Sequence, residues 1–147
     1  MTAHSQRYLD YCHNRRKPQL IIDTDPGQDD AAAILMALGL EKMGLLEVLA
    51  LTTVAGNVSL HNTSKNACVI ADWAGRSDLG VYGGAEKPLI KPLITAQHVH
   101  GNNGLGGMQL HKPKTPLKAL HAVAYIVDLL THAEPYSITI CAVGPLT

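Results

Sequence analysis

An alternation of short apolar strands and longer apolar helices is the feature that most constrains how this chain can fold. The segment Gln19–Thr24 is short and aliphatic and predicts a buried strand, and Pro26-Gly27 turns the chain out of it. Residues 29–43, rich in Ala, Leu and Met, predict a helix, and residues 47–54 predict a second strand. Joints this short between strands and helices favour a parallel sheet.

The rest of the chain continues the same alternation. A helix is predicted over residues 59–73, a short strand around Val81 and Tyr82, a helix over residues 119–133 and a final strand over residues 137–143. The predicted fold class is therefore α/β, with an open, mainly parallel sheet and helices on both faces.

One side of the helix predicted over residues 119–133 is strongly apolar. It carries Val123, Ile126, Val127 and Leu130. Side chains at these spacings share one helix face, so we expect this side to be buried against the sheet.

The composition describes an ordinary globular chain. Of its 147 residues 46% are hydrophobic and 16% charged, and the formal net charge is zero, so no broad attraction to nucleic acid or to a membrane is expected. Residues 1–18 are polar and are expected to form a flexible arm, and residues 19–147 to form part of one α/β domain. Cys12, Cys68 and Cys141 are odd in number and widely spaced, which favours a cytoplasmic protein in which Cys68 and Cys141 are buried thiols.

Four of the twelve acidic residues crowd into eight positions, as Asp23, Asp25, Asp29 and Asp30. Like charges this close repel, so folding gains nothing from the cluster unless a cation lies within it. Asp29 and Asp30 open a predicted helix, whose dipole favours negative charge and would by itself explain those two. Asp23 and Asp25 lie at a strand end, where several oxygen ligands on a tight turn favour Ca²⁺ or Mg²⁺ over zinc.

Polar groups and free carbonyls follow three of the predicted strands. The aspartates follow the first strand, Asn57 follows the second, and Val143, Gly144 and Pro145 follow the last. Ligands of open parallel sheets bind beyond the carboxyl ends of the strands. We therefore expect these groups to converge on one cleft.

Five motifs of this sequence occur in the order in which a known enzyme family carries them. They read DTDPGQDD (23–30), TTVAGN (52–57), GAEKPL (84–89), HVHGNNGLGG (98–107) and AVGPLT (142–147). Through them the chain resembles the N-terminal half of the inosine–uridine preferring nucleoside hydrolases. The resemblance implies an N-glycosidase that cleaves purine or pyrimidine ribonucleosides, or both, to base and ribose, holds one Ca²⁺ and forms homo-oligomers.

The resemblance also implies which residues bind the calcium ion. Asp25 matches the aspartate that ligates calcium and acts as general base towards a calcium-bound water, which attacks the anomeric carbon. Asp30 matches a second calcium carboxylate, and Val143 matches a residue that ligates through its main-chain carbonyl.

A second set of residues matches the family's substrate contacts. Asp29 and Asn57 match groups that hold the ribose hydroxyls, and His100 matches a histidine near the bound nucleoside. Asp23 matches a carboxylate that supports the site from behind. The glycine-rich residues 101–107 suit a mobile lid over the substrate.

Two alternatives to this interpretation remain open. The family's chains are longer, so a further calcium-binding aspartate and a histidine beside the leaving base are expected beyond Thr147. In the first alternative the chain is a truncated fragment that lacks these groups and is not catalytic. The second alternative is a Mg²⁺-dependent phosphatase of the haloacid dehalogenase type, in which a strand also ends in Asp-x-Asp, as at Asp23 and Asp25. Gly27 stands where that pattern normally has Thr or Val.

Overall fold

Five parallel strands form the sheet of this protein, whose computed structural model describes residues 17–147. In chain order they are β1 (Gln19–Thr24), β2 (Glu47–Thr53), β3 (Gly80–Gly83), β4 (Leu117–Lys118) and β5 (Ile138–Ala142). Their order across the sheet is β4-β3-β2-β1-β5, and every neighbouring pair is parallel. The predicted α/β class with a parallel sheet is confirmed.

Helices cover both faces of the sheet. Within residues 17–147 they are α1 (Gln28–Lys42), α2 (Leu60–Trp73), α3 (Gln97–His100) and α4 (Ala122–His132). Val81 packs into the core that α1 and α2 share with the sheet. Its neighbour Tyr82 points to the opposite face, as alternate strand residues do, and stacks on Tyr125 of α4 with ring centroids 3.9 Å apart.

The hydrophobic core lies between the sheet and the pair α1 and α2. Ile22, Leu51 and Val81 occupy matching positions on β1, β2 and β3 and are almost completely buried. Ile34 of α1 and Ile70 of α2 join them in the same cluster and are fully buried. Burying a side chain of this size contributes about 1.5–3 kcal/mol, so this layer fixes the positions of β1 and β2.

The expected burial of one side of α4 is wrong. Val123, Val127 and Leu130 are 51%, 58% and 41% exposed. The helix instead turns Ala122 and Tyr125 towards the sheet, one buried and the other stacked on Tyr82. Eight of the eleven residues of α4 are apolar, and they include Ala122 and Tyr125 as well as the expected stripe, so more than one side of the helix could pack.

Element ends differ from the predicted ends by at most three residues, and two short elements were not predicted. Helix α4 begins at Ala122 and not at residue 119, because the His121 side chain accepts the Val123 N–H and caps the helix. Helix α3 and strand β4 have only four and two residues, too few for a periodic pattern.

The cysteine prediction holds for one residue and fails for another. Cys68 is buried, whereas Cys141 is exposed because β5 lies at the edge of the sheet. Cys12 and most of the predicted arm fall in residues 1–16, outside the described residues. Between residues 17 and 147, no helix has the length and apolar character needed to cross a membrane.

Asp72 fastens the segment before β4 to the end of α2. Its buried carboxylate accepts hydrogen bonds from the backbone and hydroxyl of Thr115 at 3.0 and 2.6 Å, from the Lys114 N–H at 2.6 Å and from the Ser77 hydroxyl at 3.0 Å. The His111 ring lies 3.0 Å away. Burial alone would raise the pKa of Asp72, but these hydrogen bonds outweigh it and hold that pKa well below its usual range.

Candidate active site

The ends of β1, β2 and β5 meet at one edge of the sheet. The backbone N–H groups of Val143 and Gly144 donate to the Asp23 carbonyl at 2.8 and 3.1 Å. The Val54 N–H donates to the Thr24 carbonyl at 3.1 Å. The turns that follow these three strands therefore lie side by side, as the topology predicted.

Asn57 holds Asp25 in place at this edge of the sheet through two hydrogen bonds. The Asn57 N–H donates to Asp25 Oδ2 at 2.7 Å, and the Asn57 side-chain amide donates to the Asp25 carbonyl at 3.0 Å. Asp25 is only 5% exposed. Gly56 leaves space for this contact, since a Cβ at residue 56 would overlap Asp25 Oδ2.

Asp30 lies in the same network, one helical turn into α1. Its Oδ1 accepts the Thr24 hydroxyl at 2.7 Å, and its Oδ2 accepts the Gly27 N–H at 3.1 Å, which caps the helix. The Asn57 amide lies 3.3 Å from the same Oδ2. One asparagine thus connects the carboxylates of Asp25 and Asp30, both 5% exposed.

The two buried carboxylates have no positive partner in the described part of the chain. Burial raises the pKa of Asp25 to about 6, the charges of Asp30 and Asp29 add to the rise, and the hydrogen bond from Asn57 opposes it. No lysine or arginine between residues 17 and 147 forms an ion pair with these aspartates. Uncompensated negative charge in a buried site is the environment that attracts a cation.

Asp29 and His100 lie at the mouth of the same site. Asp29 is exposed on the first turn of α1. His100 ends α3, and its Nδ1 lies 3.5 Å from the Gln28 N–H that donates to it. A Cβ at Gly27 would stand 2.8 Å from that Nδ1, so the histidine ring lies directly against the turn.

Asp23 and Val143 lie behind and beside the carboxylate pair. Asp23 Oδ1 accepts the Thr52 hydroxyl at 2.6 Å; burial raises the pKa of Asp23, and this hydrogen bond opposes the rise. Val143 is 44% exposed and donates its N–H to the Asp23 carbonyl. Asp23 contacts Thr52 and Asp25 contacts Asn57, so the two carboxylates have separate partners.

The ligand type fits a hard divalent cation, whereas the number of ligands is small. Asp25 and Asp30 offer carboxylate oxygens of the kind that Ca²⁺ prefers. Among residues 17–147, however, no group of three or more His, Cys, Asp and Glu side chains is arranged to hold a metal ion. The structure brings Asp25, Asp30 and Asn57 together and leaves Asp23 outside that group.

Three contacts of the site were missed at the sequence level. They are the Thr24 hydroxyl on Asp30, the Gly27 N–H on Asp30 and the close approach of Gly56 to Asp25. Pro26-Gly27 and Ala55-Gly56 each mark a turn after a strand, and a glycine there signals close packing. Thr24 carries no such signal, because a threonine is common in any strand.

A cavity of about 460 Å³ opens beside Gly56. It is lined by Ala55 and Gly56 on one side, by the apolar segment 88–94 on another, and by Pro145. A larger cavity, of about 760 Å³, lies between α2 and the segment before α4 and contains none of the predicted site residues. We associate the smaller one with the site, because Gly56, which lines it, lies against Asp25 Oδ2 and against Pro145.

Comparisons with known proteins agree with the geometry. The model of the family described as inosine-uridine preferring nucleoside hydrolase matches residues 20–147. The chain is 41% identical over 130 residues to the inosine-uridine preferring nucleoside hydrolase of Crithidia fasciculata, covering 88% of this chain and 40% of that protein. It is 43% identical over 129 residues to the pyrimidine-specific ribonucleoside hydrolase RihA of Photobacterium profundum, covering 87% and 40%.

A solved structure is similar as well. The plant nucleoside hydrolase PpNRh1 superposes with a TM-score of 0.77 at 38% identity, covering 88% of this chain and 40% of that one. The chain therefore spans about 40% of the length of these relatives. Because the family model matches residues 20–147, which is most of the chain, the chain belongs to the inosine-uridine preferring nucleoside hydrolase family.

Proposed function

We propose that this protein hydrolyses the N-glycosidic bond of ribonucleosides, releasing base and ribose, with a calcium ion at Asp25 and Asp30. The observation that carries the proposal is this buried pair of carboxylates, bridged by Asn57 and lacking a positive partner within residues 17–147. The names of the relatives support the reaction class. Val143, exposed at the end of β5, is proposed as a further ligand through its carbonyl.

Asp25 is the proposed general base. With its pKa raised to about 6, Asp25 is ionised at neutral pH yet more basic than an ordinary aspartate, which suits it to accept a proton from the attacking water. Calcium, when bound, would supply positive charge that orients the ribose hydroxyls and makes a water more acidic. The neighbouring carboxylates favour the positive charge that develops on the sugar ring as the bond breaks.

The proposed substrate contacts are Asp29, Asn57 and His100, which lie around the carboxylate pair. Asp29 is exposed at the start of α1 and offers acceptors for ribose hydroxyls, together with Asn57. His100 lies against the same turn and is proposed to contact the nucleoside. Asp23 supports the turn from behind through Thr52.

The proposal covers both purine and pyrimidine nucleosides. Relatives are named inosine-uridine preferring and pyrimidine-specific, and a structural neighbour is named a purine-preferring hydrolase. The apolar cavity beside Gly56 supports a place for the flat face of a base.

A cytoplasmic location and self-association are part of the same proposal. Cys68 and Cys141 are free thiols, which is usual in a reducing compartment. Exposed apolar side chains along α4, among them Val123 and Val127, support contact with a second copy of the chain.

The test measures ribose released from inosine and from uridine by the 147-residue chain, with calcium and with a chelator in excess. We expect release with calcium and at least a tenfold loss with the chelator. Asp25→Asn, which keeps the size of the side chain, should reduce release by at least 100-fold, as expected for losing a general base.

Asp128→Asn is the matched control. Asp128 lies on α4 and is 77% exposed, so the same chemical change there should leave ribose release within twofold. Equal release by the wild type and by Asp25→Asn would overturn the assigned role, and no release from either nucleoside would overturn the proposed activity of this chain.

A further inference from the structure

Asn66 is a buried side chain that the proposed reaction does not use. It lies on α2 and is 1% exposed. Its amide nitrogen donates to two backbone carbonyls, that of Pro26 at 3.0 Å and that of Asn103 at 2.8 Å. Its oxygen, Oδ1, is buried and has no hydrogen-bond partner among the described residues.

These contacts determine which atom of the Asn66 side-chain amide is the nitrogen. Two carbonyl oxygens face the same atom of Asn66, so that atom must be the NH₂ group, the only part of the side chain that donates. The buried Oδ1 without a partner is destabilising, and the two hydrogen bonds donated by the nitrogen offset that cost. An aspartate or a leucine of the same shape at this position could make neither bond.

The two carbonyls belong to the two segments that form the candidate site. Pro26 stands in the turn between Asp25 and the N-cap of α1. Asn103 stands in the glycine-rich loop 101–107 that follows His100. Asn66 is therefore a bridge between the carboxylate turn and the loop.

The loop is otherwise attached at few points. Leu105 is 5% exposed and lies in the core, and the Gly106 N–H donates to the His100 carbonyl at 2.8 Å. The Asn103 side chain accepts the N–H groups of Leu105 and Gly107, each at 3.0 Å, which braces the loop against itself. Asn66, Leu105 and a longer hydrogen bond of 3.3 Å from the half-buried Asn62 to the Asn102 carbonyl connect this braced loop to the rest of the molecule.

We propose that Asn66 is a positioning residue that ties the loop 101–107 to the Asp25–Gly27 turn and thereby holds His100 against the substrate site. The role of His100 rests on the proposed function, whereas the tie between loop and turn does not. The wider implication is that a residue of α2, outside the cluster of carboxylates, sets the geometry of the nucleoside-contacting histidine.

A glycine in the loop offers a second way to disturb the same contact. A Cβ at Gly104 would stand 2.7 Å from the Asn66 amide nitrogen and 3.1 Å from the Pro26 carbonyl oxygen. Gly104 has φ of +86°, so alanine is also strained there. Gly107 has a similar φ of +76° with nothing within 4 Å of such a Cβ, so Gly107→Ala introduces the strain without the clash.

The experiment compares four variants of the chain by amide hydrogen exchange and by NMR of the His100 ring. Asn66→Asp is paired with Asn62→Asp, because Asn62 lies one turn earlier on α2 and donates to the same loop from a more exposed position, to Asn102 at 3.3 Å. Gly104→Ala is paired with Gly107→Ala. Exchange of the Gly106 amide, which donates to the His100 carbonyl, reports on the loop. Exchange of the amides of β2 and the thermal unfolding temperature report on the rest of the fold.

We expect the Gly106 amide to exchange at least tenfold faster in Asn66→Asp and in Gly104→Ala, with a changed His100 ring signal, and less than threefold faster in the two controls. Amides of β2 should change by less than threefold in all four. Equal acceleration within each pair, or an unchanged His100 signal in both test variants, would overturn the proposal.

The experiment distinguishes a variant that does not fold from a failure of the proposal, and a failure of the proposal from a failure of the proposed hydrolase activity. If Asn66→Asp does not fold, Gly104→Ala decides, since it changes the loop and leaves the helix intact. If the expected exchange pattern is found while the wild-type chain releases no ribose, the tie between loop and turn stands and the proposed hydrolase activity falls.

Discussion

Asn57 shows how a single residue can organise a site from a distance in sequence. Its backbone N–H and side-chain amide contact Asp25, 32 residues earlier, and the amide also reaches Asp30. A donor placed between two carboxylates lowers the cost of burying them together. The same placement leaves their charge uncompensated, since an amide is neutral.

Among single residues, Gly56 is the most tightly constrained, because Asp25 occupies the space that a side chain at residue 56 would need. Gly56→Ala would push a Cβ into Asp25 Oδ2 and to 2.9 Å from Pro145 Cγ, so we expect destabilisation by about 1–3 kcal/mol, as for other overpacked sites. Ribose release should fall with it. Urea unfolding measures the change in the free energy of unfolding.

Gly39→Ala is the control with the opposite sign. Gly39 lies inside α1 with nothing within 4 Å of a Cβ, so alanine there should stabilise the protein by about 0.5–1 kcal/mol through helix propensity. Destabilisation of equal size at both glycines would contradict the assigned contact with Asp25.

At the scale of elements, the longer strands and helices could be predicted from the sequence, whereas the contacts between them could be predicted only in part. The ends of β1 were predicted correctly because an aliphatic run is bounded there by Pro26. The buried side of α4 was mistaken, since Val123 and Ala122 are both apolar and only the stack of Tyr125 on Tyr82 decides between them.

Part of the candidate site could likewise be predicted from the sequence and part could not. The convergence of Asp25, Asp30 and Asn57 follows from parallel topology, which places strand ends together. The exclusion of Asp23 from that group depends on its bond to Thr52, a contact between neighbouring strands whose register the sequence does not state.

The link between α2 and the segment before β4 should depend on pH through Asp72. Because folding lowers the pKa of Asp72, its contribution to stability is present above its unfolded-state pKa, about 3.9, and is lost as the pH falls through the lower folded-state pKa. We expect Asp72→Asn to reduce the free energy of unfolding by about 1–3 kcal/mol at pH 7, where it leaves buried donors without their ionised acceptor.

The measurement is urea unfolding of wild type and Asp72→Asn from pH 7 down to pH 3. The difference between the two should shrink as the pH drops below about 4. Asp128→Asn, on an exposed side chain, should show no such trend. A constant difference across this range would mean that the carboxylate charge of Asp72 is not what binds Thr115.

At the scale of the whole molecule, apolar surface is distributed unevenly. The side of the sheet under α1 and α2 is densely packed, whereas α4 and β5 expose Val127 and Ile140 at 58% and 41%. Exposed apolar side chains on a helix and on an edge strand favour association.

We expect the 147-residue chain to self-associate through α4. Val127→Lys should shift the sedimentation coefficient towards that of a monomer, and its effect on the free energy of unfolding should stay within about 0.5 kcal/mol, because the side chain is exposed. Gln109→Lys adds the same charge at an exposed position away from α4 and should leave association unchanged. Association equal in both variants would exclude this surface.

The position of β1 between β2 and β5 has a consequence for how the chain is made. On the ribosome β2 emerges soon after β1, whereas the partner on its other side, β5, begins only at Ile138. Until then β1 keeps one edge without hydrogen bonds, and the Asp23 carbonyl lacks its donors, the N–H groups of Val143 and Gly144. Nascent chains shorter than this are therefore the ones most in need of a chaperone, because an open apolar edge invites pairing with the wrong strand.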